Sequence, residues 1–213
     1  MKKIKEKPSG IVWAEFARDY NLTEQQEDQF RRYEEFLSEK NKLMNLTAIT
    51  DLSGIVRNHF ADSITAMKFY DFSKPDLTVC DIGTGAGFPL VPLKIMFPSL
   101  SIILIEVTRK KQEFLEELFK ILEFDEKVQL YPLDWRTFLR TSAFTIDLFV
   151  TRASMGDVEL SRMFKPASPY KNAQLIYWVS EQWQVDPKTT HLLKQVVEYK
   201  LGVKRRKLAF FGL

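Results

Sequence analysis

Asp81, Gly83, Gly85 and Gly87 occupy alternate positions in Val79-Cys80-Asp81-Ile82-Gly83-Thr84-Gly85-Ala86-Gly87-Phe88-Pro89. A short apolar run that ends in such a turn can bring bare backbone against a ligand, because glycine has no Cβ to hold it off. The turn alone does not choose the ligand. A dinucleotide fingerprint needs glycine or alanine three places after its second glycine, where this chain has Phe88, and a P-loop needs Gly-Lys-Ser or Gly-Lys-Thr, which does not occur. Asp81 would repel a pyrophosphate, whereas an α-ammonium needs an anionic or carbonyl acceptor of that kind. Glu106, at the end of a second apolar run from Ser101, stands where an acid can accept hydrogen bonds from ribose hydroxyls.

Other reactive side chains are scarce. Cys80 is the only cysteine and His59 and His191 are the only histidines, so neither a disulfide framework nor a Cys/His zinc site can be assembled, and no metal is expected. Cys80 lies within an apolar run and is expected to be a small core residue rather than a nucleophile.

The elements that must position the turn follow from periodicity. From about Ile11 to Tyr70 the pattern is helical. Thr23 with Gln26 has the form of a capping box, opening a helix with Phe30, Tyr33, Phe36 and Leu37 inward and an end near Lys40 or Asn41. Asn45 to Thr50 reads as a connection, and Asp51 can cap a second helix carrying Ile55, Val56, Phe60, Ile64 and Met67. After Ser73-Lys74-Pro75 the rhythm changes. Strands are expected at Leu77 to Ile82, Ser101 to Glu106, Lys127 to Tyr131, Asp147 to Thr151 and Gln174 to Val179. Helices are expected at Pro89 to Phe97, Arg109 to Glu123 and about Asp157 to Phe164. That alternation is the signature of a parallel sheet covered on both faces. Lys194 to Leu201 and Lys207 to Phe211, flanking Gly202-Val203-Lys204, read as a closing antiparallel hairpin, for seven strands in all.

With 213 residues, 45% hydrophobic and 28% charged, the chain suits one globular unit with a small appendage. No apolar run approaches the roughly 20 residues of a membrane span. The basic start at Lys2 is not followed by an apolar signal segment, so a cytoplasmic protein is expected. Basic residues cluster at Lys2 to Lys7, Arg109-Lys110-Lys111 and Lys204-Arg205-Arg206-Lys207, which permits phosphate contact although such runs also occur as plain solvated surface.

The turn with Asp81 two residues before its first glycine resembles motif I of the class I S-adenosylmethionine methyltransferases, in which the acid lies close to the cofactor's amino-acid portion. Five further features occur in the expected order: Asn45-Leu46-Thr47-Ala48-Ile49-Thr50, His59-Phe60-Ala61-Asp62-Ser63, Phe88-Pro89, Arg109-Lys110-Lys111 and Thr151-Arg152-Ala153. Together they look like the bacterial 16S ribosomal RNA guanine-N7 methyltransferase family, also called the glucose-inhibited division protein B family, from roughly Asn21 to Phe211. The resemblance implies a Rossmann-like α/β fold: a seven-stranded, mostly parallel sheet with helices on both faces, an N-terminal helical extension over residues 1–72 and a cofactor-binding core over 73–213. It also implies S-adenosyl-L-methionine as cofactor, held by Asp81, Gly83, Gly85, Gly87, Phe88, Glu106, Trp135, Arg136 and Arg152, with Trp135-Arg136 flanking the adenine and Arg152 near the reaction centre.

By the same resemblance the substrate is N7 of a guanine in 16S ribosomal RNA, free or in the small ribosomal subunit, and the enzyme is a monomer. That nitrogen has a free lone pair, so no general base is required, and no catalytic dyad is visible. The Asn-Pro-Pro-aromatic segment expected for attack by an exocyclic amine is absent. Family members usually carry Ala-Glu in place of Trp135-Arg136, and Leu-Lys-Gly in place of Trp178-Val179-Ser180. A methyltransferase for another RNA base or a small molecule, and a non-catalytic protein that binds cofactor or RNA, stand as alternatives.

Overall fold

A computed structural model describes residues 8–152 and 154–213; the basic run Lys2 to Lys7 and Ala153 lie outside the described residues. Helix α1 spans Ser9–Tyr20. Helix α2 spans Glu24–Met44 and opens on the complete Thr23/Gln26 capping box. It runs about one turn past its expected end: Asn41 stays helical while its side chain holds Thr47, and Asn45, in the left-handed conformation, is the residue that stops the helix. Asp51 caps the next helix as expected. That helix is not uniform: α3 (Leu52–Ile55) passes into a π turn (Val56–Ala61), then α4 (Asp62–Ile64) and a 3-10 turn (Thr65–Lys68).

The sheet then forms from β1 (Thr78–Ile82), β2 (Ser101–Ile105), β3 (Val128–Tyr131), β4 (Leu148–Arg152) and β5 (Gln174–Ser180), closed by β6 (Leu193–Leu201) and β7 (Lys204–Phe211). Its order is β3-β2-β1-β4-β5-β7-β6, parallel from β3 to β5, with β7 antiparallel to both β5 and β6. This is the seven-stranded, helix-covered arrangement expected. Covering helices are α5 (Leu90–Met96), α6 (Arg109–Ile121), α7 (Trp135–Thr141) and α8 (Asp157–Leu160), the last continued by a 3-10 turn over Ser161–Phe164. Helix α7 is not among the expected elements: it has seven residues and shows its period only through Trp135 and Phe138, although Asp134 caps it with bonds from Arg136 N and Thr137 N. The hairpin turn is the pair Gly202-Val203, so β7 begins at Lys204.

Strand alternation sorts the core. Val79, Ile102, Leu104, Leu148, Val150, Ile176 and Trp178 face the side covered by α1 to α6. Cys80, Ile82, Ile103, Ile105, Phe149, Leu175 and Tyr177 face the side covered by α7, α8 and the segment around Tyr170. By the same parity Asp81, Glu106 and Arg152 fall on the side of the N-terminal helices. Those helices share one apolar cluster with the sheet: Trp13 and Phe16 of α1 and Phe30, Tyr33 and Leu37 of α2 pack around Phe60, which in turn meets Phe88. Aromatic side chains each bury about 150–250 Å², so this cluster fixes the extension against the glycine turn. Among the described residues no helix is long and apolar enough to cross a membrane.

Candidate functional site

The glycine turn is strapped to the neighbouring strand. Gly83 N and Thr84 N both donate to Ile105 O at 3.1 Å, Gly85 N donates to Glu106 Oε2 at 3.0 Å, and Gly87 N and Phe88 N close on Thr84 O at 3.0 Å. Gly83, at φ 72°, is exposed, and a Cβ there would stand 2.7 Å from Ser154 Cβ. Gly87, at φ 101°, is buried: a Cβ would stand 2.8 Å from both Tyr33 Oη and Val91 Cγ2. One glycine therefore keeps the sheet edge open and the other lets the extension approach. Gly85, at φ 63°, faces open space.

A pocket of about 370 Å³ opens at the carboxyl edge of the sheet beside Gly83. Its floor is Ile82 and Ile105. Val107, Trp135 and Met155 supply apolar walls, and Glu106, Asp134, Arg136 and Glu159 supply charge. Trp135 is buried against Phe138 and Phe149, and its Nε1 donates to Glu159 O at 3.4 Å. Arg136 reaches over as a bidentate partner of Glu159, at 2.8 and 3.0 Å. The hydrogen bonds from Arg136 hold the Glu159 carboxyl down at about 2. The cation of the lining is thus committed to a carboxylate, which leaves acid in excess around the cavity.

Asp81 lies beneath the turn, fully buried. Its Oδ2 accepts from Thr84 Oγ1 at 2.8 Å and Leu90 N at 3.3 Å, while Oδ1 has no partner among the described residues. Burial pushes its carboxyl up to about 8, against those two hydrogen bonds and the charge of Arg152. Glu106 has both oxygens engaged by backbone, Oε2 with Gly85 N and Oε1 with Thr108 N. Each carboxylate oxygen has a second lone pair, so Glu106 can still accept from a ligand's hydroxyls.

The remaining residues singled out in the sequence sit on the other side of the turn. Phe88 stacks between Tyr33 and His59, at ring-centroid distances of 5.4 and 4.6 Å, and the Arg152 guanidinium lies 5.0 Å from its centroid. Arg152 donates through Nη1 to Asn58 O at 3.1 Å and Asp62 Oδ2 at 3.2 Å, and Nη2 stands 3.2 Å from His59 Nδ1. A guanidinium can only donate, so Nδ1 is the accepting nitrogen and Nε2 carries the proton toward Thr47 Oγ1 at 2.7 Å. Burial, reinforced by Arg152 and Arg206, lowers the imidazole to about 3 and keeps it neutral. Asp62, with no exposure, also accepts from Tyr199 Oη at 2.6 Å and lies 3.7 Å from Arg206 Nε. Trp178 Nε1 donates to Asp62 O at 2.9 Å, Val179 is buried, and Ser180 is exposed at the strand end.

The structure therefore gathers Gly83, Glu106, Trp135 and Arg136 around one pocket. Asp81, Gly87, Phe88 and Arg152 stand behind it, where the extension meets the turn. Sequence reasoning does not assign Val107, Asp134, Met155 and Glu159 to the pocket, or Tyr33, Asn58, Tyr199 and Arg206 to the junction behind it. One signal is present: His59 and Asp62 fall four and seven residues after Ile55, on the apolar stripe of their helix, where polar side chains need buried partners.

A model of the family described as rRNA small subunit methyltransferase G matches residues 26–197. Ribosomal RNA small subunit methyltransferase G of Lysinibacillus sphaericus is 49% identical over 104 residues, 49% of this chain and 43% of that protein. The chain spans about half the length of the curated relatives it matches. Among solved structures, precorrin-6y C5,15-methyltransferase of Geobacter metallireducens superposes with a TM-score of 0.52 at 13% identity, over 78% of this chain and 92% of that one. M. capricolum TrmK, solved with S-adenosylhomocysteine, does so with a TM-score of 0.51 at 11% identity, over 66% and 64%.

Proposed function

The chain belongs to the rRNA small subunit methyltransferase G family, and from that premise we propose that it methylates N7 of a guanine in 16S ribosomal RNA, with S-adenosylmethionine as the donor. The observation that carries the reading is the pocket beside Gly83: apolar walls, a buried acid placed for hydroxyls, and an excess of carboxylate whose lining cation is already committed. Such a lining favours a cationic nucleoside over a phosphorylated one. Asp81, whose fully buried Oδ1 has no hydrogen-bond partner among the described residues, adds an acid at the turn that a neighbouring ligand cation would hold in its ionised, accepting form.

We read Gly83, Glu106, Trp135 and Arg136 as the nucleoside-facing residues and Asp81 as the acid toward the amino-acid portion. Gly87, Phe88 and Arg152 hold the turn against the extension, which divides from the cofactor-binding core at 72/73, while Gly85, with open space where a Cβ would stand, offers bare backbone toward the ligand and braces Glu106 through its N–H. When bound, S-adenosylmethionine would supply a sulfonium methyl to the N7 lone pair, the N–C bond forming as the S–C bond breaks and S-adenosylhomocysteine leaving, with no proton to remove. The protein's share is then alignment, which can contribute on the order of 7–11 kcal/mol. The neutral, fully bonded His59 supports this, because the reaction asks nothing of a base there. A cytoplasmic monomer acting without metal on the free RNA or the small subunit completes the proposal.

The test is incubation with labelled cofactor and undermethylated small subunits, followed by base mapping. Label at a single 7-methylguanine is the expected result. Label on another base, or on small molecules only, would move the assignment elsewhere among methyltransferases, and cofactor binding without label would make the chain a non-catalytic binder.

A further inference from the structure

The hairpin that closes the sheet carries charge that nothing among the described residues neutralises. Lys200 and Arg205 are directly opposed across β6 and β7, and Leu201 is opposed to Lys204. Like charges in direct cross-strand register destabilise a sheet. Lys207 has Glu198 at 3.9 Å and Arg206 has Asp62, but among the described residues Lys200, Lys204 and Arg205 have no ion-pair partner. Arg57 is likewise exposed and unpaired among them, on the π turn, and its side chain passes within 3.6 Å of where a Cβ on Gly202 would lie. Four uncommitted cations thus surround one two-residue turn, at whose tip Val203 is fully exposed.

The topology puts this turn on the working edge. β7 runs antiparallel to β5, and Ser180, the last residue of β5, pairs with Arg206. Lys204 and Arg205 therefore lie beyond the carboxyl end of β5, on the edge where β1 delivers Gly83 and β2 delivers Glu106. Three interstrand steps separate β1 from β7 in the sheet, or about 14 Å at ~4.8 Å each. A nucleic-acid strand advances about 3.4 Å per stacked nucleotide, so that distance corresponds to about four nucleotides.

We propose that the β6–β7 turn, with Lys200, Lys204, Arg205 and Arg57, is a phosphate-binding surface for the substrate RNA strand a few nucleotides away from the methylated base. It rests on the reading of RNA as substrate, and sharpens it by assigning strand grip to the hairpin and methyl transfer to the pocket. The exposed valine at the tip gives bases or riboses an apolar contact without sequence preference.

The test is a quadruple variant, Arg57→Ala with Lys200→Ala, Lys204→Ala and Arg205→Ala, compared with wild type on a small-subunit RNA. We expect the salt dependence of binding (log K against log salt) to become shallower by about 2–3. We also expect KM for RNA to rise at least about tenfold with kcat and cofactor affinity unchanged and the melting temperature not lowered, since the variant relieves the Lys200/Arg205 repulsion. A fourfold Lys/Arg exchange that keeps the charge should restore KM. Wild-type methylation of RNA with an unchanged salt slope and KM in the alanine variant would overturn the hairpin assignment and leave the activity standing. No RNA binding by wild type at low salt would overturn both. A variant with lowered melting temperature would be replaced by the single Lys204→Ala and Arg205→Ala changes, each expected to reduce the slope by about 0.7.

Discussion

Arg152, the last residue of β4, places Nη1 3.2 Å from Oδ2 of Asp62, a carboxylate with no solvent exposure on the helical extension. The pair joins the sheet edge to the helices that precede it, and Tyr199 and Arg206 add the closing hairpin through the other carboxylate oxygen. Three regions distant in sequence are thereby tied to one buried charge. Removing one partner of a buried ion pair costs about 3–5 kcal/mol when nothing replaces it. Here Tyr199 and Arg206 remain, so Arg152→Ala should cost less, about 1–3 kcal/mol in chemical denaturation, while methyl transfer falls at least about 100-fold. Arg152→Lys should recover part of the stability without recovering transfer. A double-mutant cycle with Asp62→Asn should show coupling of about 1 kcal/mol or more; additive effects would mean that the two side chains act separately.

His59 carries a pH signature with a definite sign. Its folded value, about 3, lies below the ordinary 6.5, so between these limits the unfolded chain binds more protons and stability falls as the pH is lowered. The contribution is complete above about pH 6.5 and is lost progressively toward pH 3. A tenfold difference in proton affinity between the folded and unfolded chain is worth about 1.4 kcal/mol, and the imidazole's partial exposure to solvent reduces what it contributes here. His59→Gln, which keeps an acceptor for Arg152, should flatten the decline in melting temperature between pH 6.5 and 4. An unchanged slope in the variant would assign the acid sensitivity to other groups.

Asp81 titrates with the opposite sense. With its carboxyl raised from 3.8 to about 8 by burial, the folded protein holds a proton that the unfolded chain releases, so stability drains away as the pH rises from about 4 to 8. Asp81→Asn should match wild type near pH 4 and exceed it by at least about 1 kcal/mol at pH 8.5. If the carboxylate also serves a cationic ligand, the same variant should bind S-adenosylmethionine about tenfold more weakly by calorimetry. Greater stability with undiminished affinity would confine Asp81 to bracing the turn.

What the sequence disclosed, and what it withheld, follows from the range of the forces involved. Strand alternation is local, so which residues share a face within one strand follows from parity, but the shared side of Asp81, Glu106 and Arg152 depends on how β1 pairs with β2 and β4. The capping box and the Asp51 cap are local too, and both are present. The pocket is not local: Trp135 and Arg136 meet Glu159 only because α7 and α8 begin at the same sheet edge, more than twenty residues apart. The partners of Asp62 lie 90 and 137 residues away, on strands whose neighbours the sequence does not declare. The π turn is likewise invisible to a 3.6-residue period, because it appears only as a shift in which side chains face inward.

The three glycines of the turn should separate by experiment, because each is required for a different reason. Gly87→Ala forces a Cβ to within 2.8 Å of Tyr33 Oη and Val91 Cγ2 at a φ of 101°, in the packed junction between extension and core. Strain of about 1–3 kcal/mol is expected from the backbone alone, so its main effect should be a lowered melting temperature. Gly85→Ala meets no atom within 4 Å and should cost only the left-handed backbone penalty of about 1–2 kcal/mol. Gly83→Ala brings its Cβ to 2.7 Å from Ser154 Cβ at the pocket lining, so it should lower cofactor affinity out of proportion to stability. Calorimetry and thermal melting on the three variants give the order directly. If Gly83→Ala loses no more affinity than Gly85→Ala, the ligand does not approach the backbone at Gly83, and the pocket beside it is not where the cofactor binds.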